Sequence, residues 1–334
     1  MDPVSALKQI ALFLERSGAP TQKVRAFRRA AQVIADLPRG DVEKRAAAGT
    51  LTALPGIGNS TAKAIKEAVA GGEPEYLTDL LASASGPVQG GEELRAALKG
   101  DCHTHSDWSD GGSPVREMAE AAIKLGHEWM ALTDHSPRLR VAHGLSADRL
   151  RRQLDLVAEL NAELAPFRIL TGIEVDILDD GALDQEPELL AELDVVVASV
   201  HSKLRMPRRE MTRRMVAAVS NPLVDILGHC TGRLVTGKGR PESEFDAEEV
   251  FGACAEHGVA VEINSRPERL DPPRRLLALA VARGCDFAID SDAHAPGQLH
   301  WLPNGCARAQ ECGVTADRVV NTRTADTLLA GFRS

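Results

Sequence analysis

The sequence has no apolar run that approaches the roughly 18 residues of a membrane-spanning helix, which excludes the class of helical membrane proteins. The N-terminus lacks a positively charged stretch followed by an apolar stretch and a small-residue cleavage site, so we expect no secretory signal. None of the six cysteines forms a C-x-x-C pair. We therefore expect free thiols and a cytoplasmic protein that does not contact a membrane.

The net charge of −9 is divided unevenly along the 334 residues. Residues 1–99 hold 13 Lys and Arg against 11 Asp and Glu, whereas residues 100–334 hold 26 against 37. The acidic part repels a polyanion unless metal ions reverse the local field, while the mildly basic part can face one. The length allows two or three domains and a full hydrophobic core.

The segment 101–111 reads DCHTHSDWSDG and contains the first candidate site. His103 and His105 lie where a short predicted strand ends, and residues two apart in a strand point to the same side. Two imidazoles on one face, with the Asp110 carboxylate returning on a loop, can hold a divalent cation. A lone H-x-H is equally compatible with two half-buried core histidines.

Further side chains that can bind metal follow other short apolar runs of the strand type. They are His135, Glu174, His201, His229, Asp292 and His294. Six of the ten histidines therefore fall at predicted strand ends, which scattered core histidines would not do. Clustering at the C-terminal ends of successive strands is how an α/β barrel builds an active site.

Seven strand-like runs can be recognised after residue 100. They lie near 101–103, 129–133, 168–173, 194–200, 224–228, 259–263 and 286–290. Helical stretches separate most of them, as in βα units. We predict an α/β fold for residues 100–334, a distorted seven-stranded (β/α)7 TIM-like barrel, preceded by a small all-α helix-hairpin-helix domain over 1–82 and a linker over 83–99 that is rich in Ser, Gly and Pro.

The stretch Leu54–Gly58, LPGIG, connects two predicted helices. Gly56, Ile57 and Gly58 let the backbone approach a ligand closely and direct N–H groups at it from a helix start, which suits a phosphate. Such contacts read no bases, so binding would not depend on DNA sequence. An ordinary helical hairpin is the alternative interpretation.

The preceding helix, predicted from Thr21 to Leu37, directs Arg25, Arg28 and Arg29 outward. These arginines are candidates for contacts with a DNA backbone, although a solvated helix face has the same appearance.

The segment RAFRRAA at 25–31, followed by LPGIG at 54–58, resembles the N-terminal helix-hairpin-helix domain of the X family of DNA polymerases. The resemblance implies a domain that grips the DNA backbone beside gaps. In some members a lysine after the hairpin forms a Schiff base with an abasic sugar; the register places Ala64 at that position, with Lys63 and Lys66 nearby. No stretch resembles the polymerase palm.

The nine predicted ligands, in their order along the chain, resemble the metal site of the PHP family, named after its polymerase and histidinol-phosphatase members. The resemblance covers about residues 100–334, and Asp110 in third place follows the variant of PHP domains attached to bacterial X-family polymerases. It implies hydrolysis of phosphate esters with two or three divalent ions, manganese, zinc or iron. The implied ligand set is His103, His105, Asp110, His135, Glu174, His201, His229, Asp292 and His294.

The resemblance also implies roles for single residues. We expect Glu174 to bridge two metals and Asp292 to hold a metal or the attacking hydroxide. Arg233 lies in HCTGR, which resembles an HPTGR motif of the polymerase-attached members, and could bind a phosphate through a bidentate contact. Arg266 and Arg269 could do the same, or could form surface ion pairs.

These features predict a metal-dependent phosphoesterase that acts on DNA, as a 3′-to-5′ exonuclease or a 3′-end processing enzyme in repair. The DNA backbone and a phosphate ester are the expected partners. A small-molecule phosphomonoesterase such as histidinol phosphatase is the alternative enzyme. A DNA-binding adaptor with a merely structural barrel is the alternative outside enzymes.

Overall fold

The computed structural model describes residues 1–38, 40–83, 86 and 88–332. The chain forms two compact units. One comprises residues up to 87 together with 296–298, and the other comprises the rest. Within the predicted linker over 83–99, the residues from 88 onward belong to the second unit.

The first unit is helical. Its helices are α1 (Pro3–Arg16), α2 (Thr21–Ala35), α3 (Asp41–Ala48), α4 (Asn59–Val69) and α5 (Glu75–Ser83). Asp2 caps α1 by accepting a hydrogen bond from the N–H of Ser5 at 2.7 Å. Leu7 and Ile10 lie at helical spacing on α1 and are buried with Phe27 of α2 in one core shared by the two helices.

The second unit contains seven strands, as predicted. They are β1 (Gly100–Thr104), β2 (Trp129–Leu132), β3 (Arg168–Asp176), β4 (Val195–Ser199), β5 (Ile226–Leu227), β6 (Ala260–Asn264) and β7 (Phe287–Asp290). All paired neighbours are parallel and follow chain order. A parallel bridge between Thr104 and Ala293 joins the two ends of the sheet, so the strands form a nearly closed barrel.

Helices separate the strands and cover the barrel. They are α6 (Glu92–Ala97), α7 (Val115–Lys124), α8 (Ala147–Leu164), α9 (Pro187–Leu190), α10 (Arg208–Val219), α11 (Ala247–His257), α12 (Arg274–Ala282), α13 (Leu302–Glu311) and α14 (Ala325–Phe332). The helical stretches predicted from the sequence did not include α9, α13 or α14. None of the described helices is long and apolar enough to cross a membrane, and all six cysteine thiols are free.

The interior face of β6 changes from apolar to polar along the strand. In β6, Ala260, Glu262 and Asn264 share one face because strand residues alternate. Ala260 packs in an apolar cluster with Val197 and Ala288, whereas Glu262 and Asn264, nearer the C-terminal end, are fully buried polar groups. The polar functional groups are thus concentrated at the C-terminal end of the barrel, the position of active sites in this architecture.

Candidate metal centre

All nine predicted ligands converge at the C-terminal end of the barrel. Their metal-binding atoms form four overlapping groups, and within each group these atoms lie within 4.8 Å of one another. The groups are His105, Asp110, His135 and His294; His103, Glu174 and His229; His103, His105 and Asp292; and His135, Glu174 and His201. The overlap joins the groups into one continuous cluster, with Glu174 common to two of them.

The spacing of the nine side chains fits divalent cations. A metal about 2.1 Å from each ligand atom holds neighbouring ligand atoms roughly 3.0–3.4 Å apart. His103 Nε2 lies 3.3 Å from Glu174 Oε2, and His294 Nε2 lies 3.3 Å from Asp110 Oδ1. His201 Nε2 lies 3.2 Å from Glu174 Oε1. These separations suit ligands that share a cation.

Several of these buried atoms have no hydrogen-bond partner within the described residues. They are His103 Nε2, both ring nitrogens of His105, His135 Nδ1, Glu174 Oε2, His201 Nε2 and His229 Nδ1. His135 Nδ1 is 2.9 Å from Glu174 Oε2 without hydrogen-bond geometry. An unsatisfied buried polar group costs about 1–3 kcal/mol. Cations at the points where these side chains converge would satisfy one ligand atom of each residue, so the residues fit a multinuclear metal site.

The two central carboxylates are anionic. Burial raises the pKa of Glu174, but the positive charge of His201 and His103 outweighs burial and holds this pKa well below its usual range. Burial likewise opposes ionisation of Asp292, and Arg266 lowers its pKa well below the usual range. Both side chains are therefore acceptors only, as hard metal ligands must be.

Two further carboxylates orient imidazoles. Glu262 Oε1 lies 2.6 Å from His103 Nδ1, and Asp176 Oδ1 lies 2.5 Å from His201 Nδ1. Each contact leaves the Nε2 atom of that histidine directed at the cluster, as in carboxylate–histidine–metal triads. Asp176 was not among the residues predicted from the sequence, although it lies two residues after Glu174 in β3 and therefore on the same strand face.

We expect Glu262→Gln to weaken metal binding by about 10- to 100-fold, because the charged partner that fixes the His103 ring is lost. Chelator competition on the full chain measures the affinity. Glu256→Gln, an exposed change on α11, is the matched control. An affinity for Glu262→Gln equal to that of the control would contradict an orienting role.

The loop that carries Asp110 is held by a buried carboxylate. Asp134 accepts hydrogen bonds from the Ser106 N–H at 2.9 Å, the Ser106 hydroxyl at 2.6 Å and the Gln153 amide at 2.7 Å. It also accepts one from the Ser109 hydroxyl. Because both serines precede Asp110 on the same loop, this network positions a ligand that no strand carries.

Asp292 has a left-handed backbone conformation, with φ of 51°. This conformation costs a non-glycine residue roughly 1–2 kcal/mol, and such strain is concentrated at functional sites. Asn264 Nδ2 donates to Asp292 Oδ2 at 3.0 Å, Arg269 Nε lies 3.2 Å from Oδ2, and Arg266 Nη1 lies 3.4 Å from Oδ1. The strained carboxylate is thus held from three sides.

Arg233 makes different contacts. Its Nε donates to the carbonyl oxygen of Arg269 at 3.0 Å and its Nη2 donates to that of Leu270, while Nη1 lies 3.5 Å from Glu242 Oε1. These contacts support the loop after β6 and none of them is to a predicted ligand. The HCTGR motif predicts Arg233 as a phosphate ligand, whereas Arg269 and Arg266 are the arginines that contact Asp292.

The predicted hairpin lies between α3 and α4. Gly56 has φ of 94°, which glycine adopts without strain. The N–H of Ile57 donates to the Leu54 carbonyl at 3.1 Å, and that of Gly58 donates to Thr61 Oγ1 at 3.0 Å. The Ile57 side chain is buried in the helical core. The N–H groups of Ile57 and Gly58 are therefore engaged in hydrogen bonds within the hairpin.

The three predicted arginines of α2 differ in their surroundings. Arg28 Nε pairs with the buried Glu15 carboxylate at 2.6 Å, so Arg28 takes part in the helical unit itself. Arg25 and Arg29, one helical turn apart, are exposed. A Cβ atom added to Gly56 would lie 3.0 Å from Arg29 Cγ, which places this arginine directly against the hairpin turn.

Comparisons with known proteins agree with this architecture. Residues 101–266 match the PHP domain model and residues 1–74 match a helix-hairpin-helix domain model. A probable phosphatase of Thermoanaerobacter sp. (strain X514) is 31% identical over 234 residues, which cover 66% of this chain and 89% of that protein. The chain belongs to the PHP family. The family predicted from the order of the nine residues is thereby confirmed.

Two further PHP relatives and one solved structure complete the comparison. The DNA polymerase/3′-5′ exonuclease PolX of Bacillus subtilis (strain 168) is 42% identical over 227 residues, 68% of this chain but 40% of that protein. A probable phosphatase of Acetivibrio thermocellus is 35% identical over 66% of this chain and 90% of that protein. Histidinol phosphate phosphatase of Lactococcus lactis, crystallised with zinc, L-histidinol and phosphate, aligns with a TM-score of 0.46 at 20% identity, over 65% of this chain and 95% of that one.

Proposed function

We propose that this protein is a metal-dependent phosphoesterase that acts on DNA, as a 3′-to-5′ exonuclease or a 3′-end processing enzyme in repair. The observation that carries the proposal is the convergence of nine metal-binding side chains, six of which have buried atoms without a hydrogen-bond partner among the described residues. The helix-hairpin-helix match and the name of the PolX relative support DNA as the substrate.

Glu174 is the shared ligand of the proposed centre. Its Oε1 lies 2.8 Å from His229 Nε2 and 3.2 Å from His201 Nε2, and its Oε2 faces His103 and His135. With one oxygen directed at each set of imidazoles, this carboxylate would be able to hold two cations. Bound divalent ions would supply Lewis acidity toward a phosphoryl oxygen and would lower the pKa of a water molecule to near 7.

The arginines beside Asp292 suit the negative charge of the substrate. Arg266 and Arg269 each direct a guanidinium group at Asp292 and lie within a largely buried environment, where such contacts are strong. We assign them to the phosphoryl oxygens. Arg233, predicted for that role, would act by holding the carbonyl oxygens of Arg269 and Leu270 in place.

A small-molecule phosphomonoesterase remains the second candidate, because the two relatives named probable phosphatases align over 89% and 90% of their lengths. The non-catalytic adaptor has less support. Nine converging polar groups, six of them with unsatisfied buried atoms among the described residues, are unfavourable unless the site holds cations.

One experiment separates the two enzyme candidates. The metal-loaded full chain is assayed on a 5′-labelled oligonucleotide and on a panel of phosphomonoesters that includes histidinol phosphate. The proposal expects kcat/KM for the oligonucleotide to exceed that of every small ester by at least about 100-fold. A small ester turned over faster than DNA would make the monoesterase the better assignment.

The helical unit is not expected to act as a lyase. Ala64 is 1% exposed and occupies the position of the Schiff-base lysine of the resembling family. Lys63 is exposed, and its hydrogen bond to Glu75 raises its pKa, which keeps the amine protonated and unreactive. Borohydride should therefore trap little covalent complex with a 5′-deoxyribose-phosphate end. Efficient trapping that disappears in Lys63→Ala, Lys66→Ala would show that the lysine register is wrong.

A further inference from the structure

Positive charge is concentrated on one side of the barrel mouth. The loops after β4, β5 and β6 cover residues 200–207, 228–246 and 265–273, and they hold seven Lys and Arg against five Asp and Glu. The basic residues are Lys203, Arg205, Arg233, Lys238, Arg240, Arg266 and Arg269. Since these strands are neighbours in the sheet, their loops are adjacent at the mouth, and together they are called the basic half of the rim.

The loops after β1, β2, β3 and β7 have the opposite character. Over residues 105–114, 133–146, 177–186 and 291–295 they hold eight Asp and Glu and two Arg. The net acidity of the barrel thus does not extend around the whole mouth. A polyanion can reach the candidate metal centre from the basic side without crossing the acidic loops.

Within the basic half of the rim, two cations are available to a ligand. Arg205 and Lys238 are exposed, and neither forms an ion pair or a side-chain hydrogen bond with another described residue. By contrast, Lys203 pairs with Asp179 at 2.5 Å, and Arg240 donates to the Gly232 carbonyl. Arg205 and Lys238 are therefore the side chains best placed to bind external phosphates.

A cavity of about 520 Å³ is lined by Lys203, Arg205, Met206, Pro207 and Glu210, so it adjoins the first of these two cations. Its volume lies in the range of small-molecule sites, roughly 300–1,000 Å³. It begins two residues after the predicted ligand His201, so it neighbours the candidate metal centre along the chain. Met206 and Pro207 give the lining an apolar surface suited to a sugar and a base.

The loop that forms this cavity is held in place by a buried arginine of α10. Arg214 of α10 is 1% exposed and donates from Nη1 to the Ser202 carbonyl at 3.0 Å and from Nε to the Ile177 carbonyl at 3.1 Å. A buried arginine that binds two loops at once holds residues 202–207 in a defined conformation. The cavity is therefore preorganised for a ligand.

We propose that the basic half of the rim binds the 3′-terminal segment of single-stranded DNA. The nucleoside beside the scissile phosphate occupies the Lys203–Glu210 cavity, and neighbouring backbone phosphates contact Arg205 and Lys238. Cations that follow the backbone and an apolar surface that packs on a base are the two elements of sequence-independent single-strand binding. This inference rests on the proposed function, since it assumes that DNA is the substrate.

The first test removes the two available cations. In the metal-loaded full chain, Arg205→Gln, Lys238→Gln should lower the ratio of kcat/KM for an oligonucleotide to kcat/KM for a chromogenic phosphate ester at least tenfold. The dependence of log affinity on log salt should become shallower by about 1.4, since each single-strand phosphate contact contributes roughly 0.7. Arg138→Gln, Arg140→Gln removes two charges from the loop after β2 and is the matched control, with an expected change below twofold.

The second test locates the nucleoside without relying on turnover. An oligonucleotide with 5-iododeoxyuridine at its 3′ end is cross-linked to the full chain by light, and the adduct is mapped by mass spectrometry. We expect the adduct within residues 203–210 and a reduced yield in Met206→Ala.

The outcomes separate this inference from the proposed function. If the wild type cleaves DNA while the Arg205, Lys238 variant matches the control, or if the adducts lie outside 203–210, the inference is overturned and the proposed function stands. If the wild type hydrolyses small esters but neither cleaves nor cross-links DNA, both are overturned.

Discussion

Replacing His103 or Asp292 with alanine is expected to remove bound metal and to lower phosphate ester hydrolysis at least a thousandfold. A thousandfold decrease corresponds to about 4 kcal/mol of transition-state stabilisation, within what metal ions supply. The effect should be this large because both residues belong to the group that also contains His105, and Asp292 is an anionic ligand held by Asn264, Arg266 and Arg269.

Elemental analysis of purified protein measures the first part of this prediction, with two or three transition-metal ions per chain expected in the wild type. His257→Ala, an exposed histidine at the end of α11 and outside the four ligand groups, is the matched control and should retain both metal and activity. Wild-type protein that stays active after exhaustive chelation would contradict metal dependence. Normal metal content in Asp292→Ala would contradict its place among the ligands.

Substituting Gly56 with valine is expected to raise KM for oligonucleotides at least tenfold and to leave hydrolysis of a small chromogenic ester within about twofold. Valine is strained at φ of 94°, and its Cβ would lie 3.0 Å from Arg29 Cγ. The substitution therefore displaces both the turn N–H and the arginine beside it, the two groups proposed to bind backbone phosphates. Salt titration should show fewer phosphate contacts than in the wild type.

Gly71→Val is the control for backbone strain, because Gly71 has φ of 88° and lies beyond the other end of α4, with no atom within 4 Å of an added Cβ. Circular dichroism shows whether the helical unit stays folded in both variants. If the two variants bind DNA equally well, Leu54–Gly58 is an ordinary helical hairpin. The hypothesis that the helical unit binds DNA would then be wrong, and the small-molecule phosphomonoesterase would become the better supported function.

The basic half of the rim changes the electrostatic interpretation of the barrel. From composition alone, residues 100–334 carry an excess of acidic residues, and the helical unit is expected to hold a polyanion. The topology shows that the basic residues of the loops at the mouth are concentrated after β4, β5 and β6. Net charge is a sum over the surface, whereas binding depends on the local field.

The strands and the candidate ligands could be predicted because both depend on local pattern. Short apolar runs of Val, Ile, Leu and Ala predict strands at a period of two. In a parallel barrel every strand ends at the same face, so a ligand-capable residue after each run must approach the others whatever the detailed packing. His229 after β5 and His201 after β4 illustrate this, since their rings meet at Glu174 from neighbouring strands.

The partners of the arginines could not be predicted, because they depend on contacts between loops distant in sequence. The helical pattern predicts that Arg28 of α2 faces outward, but its Nε lies 2.6 Å from Oε1 of Glu15 in α1. Arg233 follows a ligand in a recognisable motif, yet it meets the carbonyl oxygens of the loop after β6. A long arginine side chain can reach whichever acceptor the packing of other elements brings near it. The spacing of residues along one element does not determine that acceptor.

The sequence by itself thus determined the seven-stranded barrel, the helical unit and the set of side chains that meet at the barrel mouth, because periodicity and parallel topology constrain all three. Only the tertiary structure decided which imidazoles the carboxylates of Glu262 and Asp176 orient, and which arginines, Arg266 and Arg269, contact Asp292. These contacts join different strands and loops, and their geometry depends on how the barrel closes.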